Sequence, residues 1–343
     1  MADTKWSRES WALEVTPLTL RLKQPFTIAS HTWEDVDNVF VTLRFASVAG
    51  VGEVSPDPRS GESVDSVVKQ LEDLDPRELG NPFNLEGVLD LLPPGAARCA
   101  LDIALHDLAG KIAQLSVTKL LGLKGRRPPP TSVTVPIADV DAMVERARSL
   151  ADHPILKTKV GFDGDVEAVA RIREVYSGRL RVDANEGWTE DEAVARLGEL
   201  ESFDVELCEQ PLPAGNLDGL KSVSRSTSIP VFADEDVGTA ADVARFADAV
   251  DGVNLKLRKA GGIREIVHAI ATARACGLKV MIGCDLESGV ATTAGAHVAP
   301  LAGLVDLDGP LLLAEDPFPG VSYDRGELIV PDTPGLGVRG TPA

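Results

Sequence analysis

ILKTKVG at residues 155–161, LRVDAN at 180–185, VELCEQP at 205–211 and PVFADE at 230–235 decide how this chain is read. Each is a short apolar or β-branched run that ends in charged or polar side chains, and an Ala-rich stretch of helical periodicity follows. Outward from these four, TSVTVPI (131–137) comes before them, and GVNLKL (252–257), KVMIGC (279–284) and LVDLDG (304–309) come after. Strand starts fall roughly 25 residues apart, the length of a βα unit, and about eight such units in a row close a TIM-type barrel. A doubly wound open sheet is the alternative, but no GxGxxG follows the first strand.

Before the barrel the rhythm differs. WALEVTPLTLRL (11–22), VDNVFVTLRF (36–45) and GVGEV (50–54) alternate apolar and polar residues, which predicts an antiparallel meander. Residues 93–123 then carry apolar side chains at helical spacing and run into GLKGRRPPP at 122–130. That Gly and Pro cluster predicts a boundary near Pro128, dividing the chain into a first domain over 1–127, a barrel over 128–320 and a tail over 321–343. DRGELIVPDTPGLGV (324–338) in the tail reads as a strand or hairpin returning to the first domain.

A chain of 343 residues with 44% hydrophobic and 25% charged residues has the composition of an ordinary globular protein, of one large barrel or two domains. A mean hydropathy of +0.02 leaves no apolar excess to span a bilayer. The start, MADTKWSRESWALEV, has neither a basic opening nor a continuous apolar run, so the cytoplasm is the default expectation. Acidic residues outnumber basic ones 53 to 34, and the formal charge of −19 argues against binding nucleic acid. Cys99, Cys208, Cys276 and Cys284 show no CxxC spacing and the five histidines are dispersed, so any metal is expected to be held by oxygen.

Barrel enzymes carry their reacting groups at the C-terminal ends of the strands. There the sequence places Lys157 and Lys159, Asp183 and Asn185, Glu209, Asp234 and Glu235, Lys256, Asp285 and Glu287, then Asp306 and Asp308. Any one of them alone is an ordinary solvated charge. Asp183, Glu209 and Asp234 are spaced 26 and 25 residues apart on successive strand ends, so three carboxylates converge on one wall and need a hard cation, most plausibly Mg²⁺. Asn185 and Glu235 stand beside them. Lys157 and Lys159 share one face of a strand, while Lys256 lies four strands further on, across the barrel. Lysines on either side of a metal-bound group suggest removal of a proton from one face of a carbon and its return to the other, through an enediolate if that carbon adjoins a carboxylate. A lysine base must be neutral when it acts, and a neighbouring ammonium favours that state, so Lys157 is expected to assist Lys159.

Taken together, KTK (157–159), VDAN (182–185), CEQP (208–211), ADED (233–236), NLKLRKAGG (254–262) and ALDIALHDLAGK (100–111) resemble the enolase superfamily, in its muconate lactonizing enzyme-like subgroup. The resemblance covers nearly the whole chain. It implies an N-terminal α+β capping domain completed by the C-terminal tail, a (β/α)7β barrel and Mg²⁺. Asp236 departs from it, since the family often has Ser after the acidic pair. The subgroup includes dipeptide epimerases, N-succinylamino acid racemases, o-succinylbenzoate synthases and muconate cycloisomerases. Asp306 and Asp308 in VDLDGPLLL look like the DxD pair that holds a dipeptide's α-ammonium group, and two carboxylates would repel a succinyl or muconate carboxylate. The expectation is a Mg²⁺-dependent dipeptide epimerase, a homo-oligomer acting on a small molecule. A Schiff-base aldolase and a non-enzymatic dipeptide-binding protein are the readings from other classes. The presumed lid, TIASHTWEDVDN (27–38), carries Glu34 and Asp35 with no Lys or Arg. With Asp285 in the pocket and only Arg21, Lys23 or Arg59 within reach as cations, acidic substrate side chains are disfavoured.

Overall fold

The structure is a computed structural model that describes residues 11–340. Period-two alternation gives β1 (Trp11–Thr27), β2 (Thr32–Phe45) and β3 (Val48–Val54), an antiparallel sheet in the order β1-β2-β3. The β1–β2 register slips between Arg21 and Phe26, and the pairing resumes at Phe26↔Trp33 near the hairpin tip.

One face of this sheet covers a long helix, Ala96–Ala113, of which every residue from Ala96 to Gly110 is buried. A helix apolar nearly all round has no solvent face to offer, so it must be enclosed. β3 lies directly on it. A Cβ at Gly50 would stand 2.1 Å from the Ala104 carbonyl oxygen, and one at Gly52 would stand 2.0 Å from that of Ala100. Asp107 of this helix accepts from the Val51 amide and from the Leu336 amide of the tail, each at 2.8 Å. The tail forms the hairpin of β12 (Ser322–Asp324) and β13 (Glu327–Ile329) and then runs along the helix end, with Gly335 N donating to Leu115 O at 2.9 Å.

The barrel strands are β4 (Val133–Val135), β5 (Ile155–Lys159), β6 (Arg179–Asp183), β7 (Val205–Glu209), β8 (Val231–Ala233), β9 (Gly252–Lys256), β10 (Lys279–Gly283) and β11 (Leu304–Asp306). They pair in parallel and in chain order. A parallel bridge between Thr131 and Val305 joins the two edges, so the sheet closes as the repeat of βα units predicts and the open-sheet alternative falls. Helices on the outside begin where the sequence offers caps. Thr189 with Glu192 and Thr239 with Asp242 form reciprocal capping boxes, and Asp139 caps the helix Val140–Ser149. Arg181 runs through the barrel interior to Glu206 at 2.6 Å and the Val305 carbonyl at 2.8 Å. Because every strand points the same way, all strand ends gather at one mouth, and the three-stranded sheet covers it. Glu53 of β3 accepts there from Ser288 N, Ser288 Oγ and Ala291 N at 2.7, 2.6 and 3.0 Å, anchoring the turn after β10.

Substituting Gly52 by Ala should force β3 off the long helix and cost about 1–3 kcal/mol. Equilibrium urea unfolding reads this as a lower midpoint, and an unchanged midpoint contradicts the close approach.

Candidate active site

Lys159, Asp183 and Glu209 are Cα partners across β5, β6 and β7, and all three end their strands. Asp234 follows β8 directly, Lys256 ends β9 and Asp306 ends β11. Parallel register therefore stacks these side chains in one layer. The Lys157 ammonium lies 2.9 Å from Asp183 Oδ2, 2.7 Å from Glu209 Oε2 and 2.7 Å from Asp306 Oδ2. Lys159 pairs with Asp183 Oδ2 at 2.7 Å. Lys256 sits 3.0 Å from Asp234 Oδ2 and 3.4 Å from Asp285 Oδ1. Lys157, Lys159 and Lys256 all line one cavity, whereas the three carboxylates are buried beneath it.

The electrostatics follow from burial against neighbours. Burial pushes the Asp183 carboxyl up, but Lys157 and Lys159 outweigh it and hold it below the usual range. Asp234 is likewise held well down against burial by Lys256 and Lys259. Glu209 goes the other way, raised by burial and by the Asp183 anion. Lys157 is desolvated, yet Asp183, Asp306 and Glu209 hold its proton well above the ordinary lysine range. With these anions around it Lys157 is kept charged, and the expected mutual depression of the two lysines is not what dominates there.

Three carboxylates on successive strand ends are a hard-cation donor set. Asn254 donates to Glu209 Oε1 at 2.7 Å and fixes that side chain, while the buried Glu209 Oε2 and Asp234 Oδ2 face the ammoniums of Lys157 and Lys256 at 2.7 and 3.0 Å. Buried carboxylate oxygens balanced by mobile ammoniums and not by fixed backbone donors fit Mg²⁺. As placed, no three acidic, His or Cys groups among the described residues enclose an ion, because the lysine ammoniums stand between them.

The remaining predicted residues divide. Asn185 lines the cavity, donates from its backbone amide to Asp183 Oδ1 at 2.9 Å and from its Nδ2 to Glu235 Oε1 at 3.2 Å. Asp306 and Asp308 both line the cavity, but only Asp306 is on the strand. Asp308 lies in the turn beyond, at the N-cap position of the helix Gly309–Leu312, but its side chain accepts from the Thr134 amide at 2.7 Å and makes no capping hydrogen bond. Glu287 requires correction: it is buried, does not line the cavity, and lies under the influence of Asp285 and Glu53, which with burial raise its carboxyl well above the usual range. Asp236 accepts from Gln210 Nε2 at 2.8 Å and from the Gly215 amide at 2.7 Å, so it is spent on loop structure.

The lid also differs from expectation. Glu34 and Asp35 are exposed and do not line the cavity, and neither do Arg21 and Lys23; Phe26, Ile28, Trp33 and Val36 do. Asp285 is not left without a cation, because Arg258 Nε meets its Oδ2 at 2.8 Å. Arg258 also reaches Asp57 at 3.1 Å and Glu62 at 3.4 Å, while Arg59 pairs with Glu235 at 3.1 Å. Sequence reading missed Arg258 and Lys259, although both stand in NLKLRKAGG. Lys259 donates to Asp234 Oδ1 at 2.5 Å and to the Asp234 carbonyl.

Comparison with known proteins places the chain among relatives along nearly its full length. The family model for the mandelate racemase / muconate lactonizing enzyme N-terminal domain matches residues 12–122, and the enolase C-terminal domain-like model matches 139–342. An L-Ala-D/L-Glu epimerase of Bacteroides thetaiotaomicron is 36% identical over 94% of this chain and 86% of its own. A hydrophobic dipeptide epimerase of Roseobacter litoralis is 37% identical over 95% and 98%. Among solved structures, a dipeptide epimerase of Enterococcus faecalis complexed with Mg and L-Leu-L-Tyr superposes with a TM-score of 0.89 at 31% identity, covering 95% of this chain and 98% of that one.

Burial raises the Asp285 carboxyl, but Arg258 and Lys256 bring it down to about 2. The folded state thus binds this proton less tightly than the unfolded chain, whose aspartate titrates near about 4. The stabilisation is complete above that pH and is lost as the pH falls towards the folded value. Arg258→Ala should lower stability at neutral pH by about 1–3 kcal/mol, since it leaves the half-buried Asp285 carboxylate with Lys256 at 3.4 Å as its remaining cation, and should flatten this acid limb. Unfolding curves at several pH values measure both effects.

Proposed function

The chain belongs to the mandelate racemase and muconate lactonizing enzyme family of the enolase superfamily, and from that premise we propose that it epimerizes dipeptides by 1,1-proton transfer between Lys159 and Lys256. The observation that carries the reading is the pairing of opposed lysines with Asp306 and Asp308 in a single cavity. Asp308 and Asp306, the latter shared with Lys157, place two carboxylates in the cavity, a setting that suits an α-ammonium group and disfavours a succinyl or muconate carboxylate. Relatives named for dipeptide epimerization, over 94% and 95% of this chain, support the same substrate class.

In this reading Asp183, Glu209 and Asp234 would hold Mg²⁺, which would supply positive charge to offset the negative charge that develops on the substrate carboxylate. Lys159 in its neutral form takes the α-proton at Nζ, and the C–H electron pair moves into the adjoining carboxylate. Lys256 then delivers a proton from Nζ to the opposite face, and a C–H bond reforms with inverted configuration. The reverse direction exchanges the two roles. Lys157 remains charged among Asp183, Glu209 and Asp306 and holds the acidic layer together beneath the reacting carbon. Phe26, Trp33 and Leu286 close the cavity with apolar surface, while Arg59 and Arg258 are already committed to carboxylates. We infer from this wall that uncharged, apolar side chains are preferred.

The decisive experiment is α-deuterium incorporation into a dipeptide library in D₂O, with N-acetylated dipeptides and a chelator as controls. Exchange on free dipeptides, its loss in excess EDTA, and a loss of several kcal/mol of transition-state stabilisation in Glu209→Gln are expected. Equal rates on N-acetylated substrates, or full activity in EDTA, reject the assignment. Steady-state kinetics should also give L-Ala-L-Leu a higher kcat/KM than L-Ala-L-Glu; the reverse order refutes the preference for apolar side chains and leaves the lysines and metal untouched.

A further inference from the structure

Lys256 ends β9 and is followed at once by a one-turn helix, Leu257–Ala260, and by Gly261 and Gly262 at φ 81° and 117°. This tight turn is gripped from outside by the long helix Ala96–Ala113. Arg98, almost wholly buried, donates to the Ala260 carbonyl at 2.6 Å and the Gly261 carbonyl at 3.3 Å. Asp102, fully buried, accepts from the Ile263 amide at 2.5 Å, closing the start of the next helix. The fit leaves no room for side chains. A Cβ at Gly261 would stand 2.4 Å from Arg98 Nε, and one at Gly262 would stand 2.3 Å from Asp102 Oδ2. One turn further along, His106 holds its Nδ1 on the Asp102 carbonyl at 2.8 Å. Both halves of the grip lie in sequence segments already singled out, ALDIALHDLAGK with the Arg98 before it, and NLKLRKAGG.

Lys159 is placed differently. Its strand β5 is fixed by the β4 and β6 ladders and by the ion pair with Asp183. Among the described residues, no hydrogen bond links residues 11–113 to residues 155–165; the capping sheet meets Lys159 through the Phe26 ring, 5.9 Å from Nζ to its centroid, and the long helix Ala96–Ala113 makes no hydrogen bond to β5.

We propose that Arg98 and Asp102 are positioning residues for Lys256 alone: the capping helix sets the reach of one of the two bases, and the barrel sheet sets the other. The proposal rests on the epimerase reading. Proton transfer tolerates little displacement, and a shift of about 1 Å in a reacting group can cost ~10²-fold. Loosening the 257–263 turn should therefore slow chemistry on one face of the substrate and spare the other.

The test measures α-hydrogen exchange in D₂O for the L,L and L,D epimers separately. Lys159→Ala and Lys256→Ala serve as references, since each should leave exchange in one epimer and so identify which epimer faces which lysine. Arg98→Ala and Asp102→Ala are expected to slow exchange of the Lys256-facing epimer by about 10–100-fold and to leave the other epimer's rate unchanged. Asp102→Asn retains an oxygen acceptor for Ile263 N and should restore most of the lost rate. Arg98→Lys keeps the charge but not the two-carbonyl fork, and provides a milder variant with the same asymmetry should the alanine variants fold poorly. Equal slowing of both epimers, or none in either, in variants with wild-type circular dichroism overturns the proposal. Absence of any exchange by the wild-type protein on dipeptides overturns the epimerase reading and the proposal with it.

Discussion

Concentrated negative charge in a dry place is the constraint around which this molecule is arranged. Asp183, Glu209, Asp234 and Asp306 are nearly or wholly inaccessible to water, and ionised carboxylates so placed are tolerable only beside cations. Lys157 meets three of them, Lys159 one, and Lys256 and Lys259 share Asp234. The barrel is what makes such a cluster possible, because parallel strands bring residues that are distant in sequence to one level. The capping sheet and helix exclude water from above. A site of this kind stores little freedom, so bound groups meet charges that are already oriented.

The same constraint explains what lies around the cluster. Outward from the lysines comes a ring of arginine pairs, with Arg258 between Asp57, Glu62 and Asp285, and Arg59 between Asp57, Glu186 and Glu235. Four of these six pairs cross from the capping region to the barrel. Backbone strain gathers at the same place: Asn185, Glu186 and Gln210, just beyond the ends of β6 and β7, have φ of 42°, 68° and 36°. Left-handed conformations in residues other than glycine persist where surrounding bonds over-determine them. Gln210 shows how, with its Oε1 accepting from the Asp234 amide and its Nε2 donating to Asp236 and Leu212.

How much of this was legible in the sequence depends on whether the informative partner is near or far along the chain. The barrel was readable because each βα unit announces itself locally, and the position of a charged residue at a strand's end follows from that. The gathering of the lysines and the carboxylates at the strand ends was readable for the same reason. Arg258, Lys259, Asn254 and Arg98 escaped because their partners come from other segments, and a motif such as NLKLRKAGG does not say which of its polar residues meets which distant partner. Glu287 was misplaced by two residues' worth of turn geometry: counting outward from β10 predicts a pocket residue, but the turn is fixed by Glu53, which lies 235 residues before Ser288 in the chain. Glu34 and Asp35 failed through alternation. Trp33 and Val36 face the cavity, and the acids between them are exposed.

Near its register shift the β1–β2 hairpin is tied to the barrel by two backbone contacts and one side-chain contact: the Leu22↔Leu313 bridge, the Lys23 ammonium on the Leu311 carbonyl at 2.9 Å, and the Ala314 amide on the Arg21 carbonyl at 2.9 Å. Side-chain identity matters little to the first and third of these, and the tip beyond them supplies the apolar wall. Much of the apolar wall and the acid–lysine layer thus reside on separate pieces of chain. Drift in residues 26–36 can reshape the wall while the layer stays intact, so the cavity's shape and its charge can evolve apart.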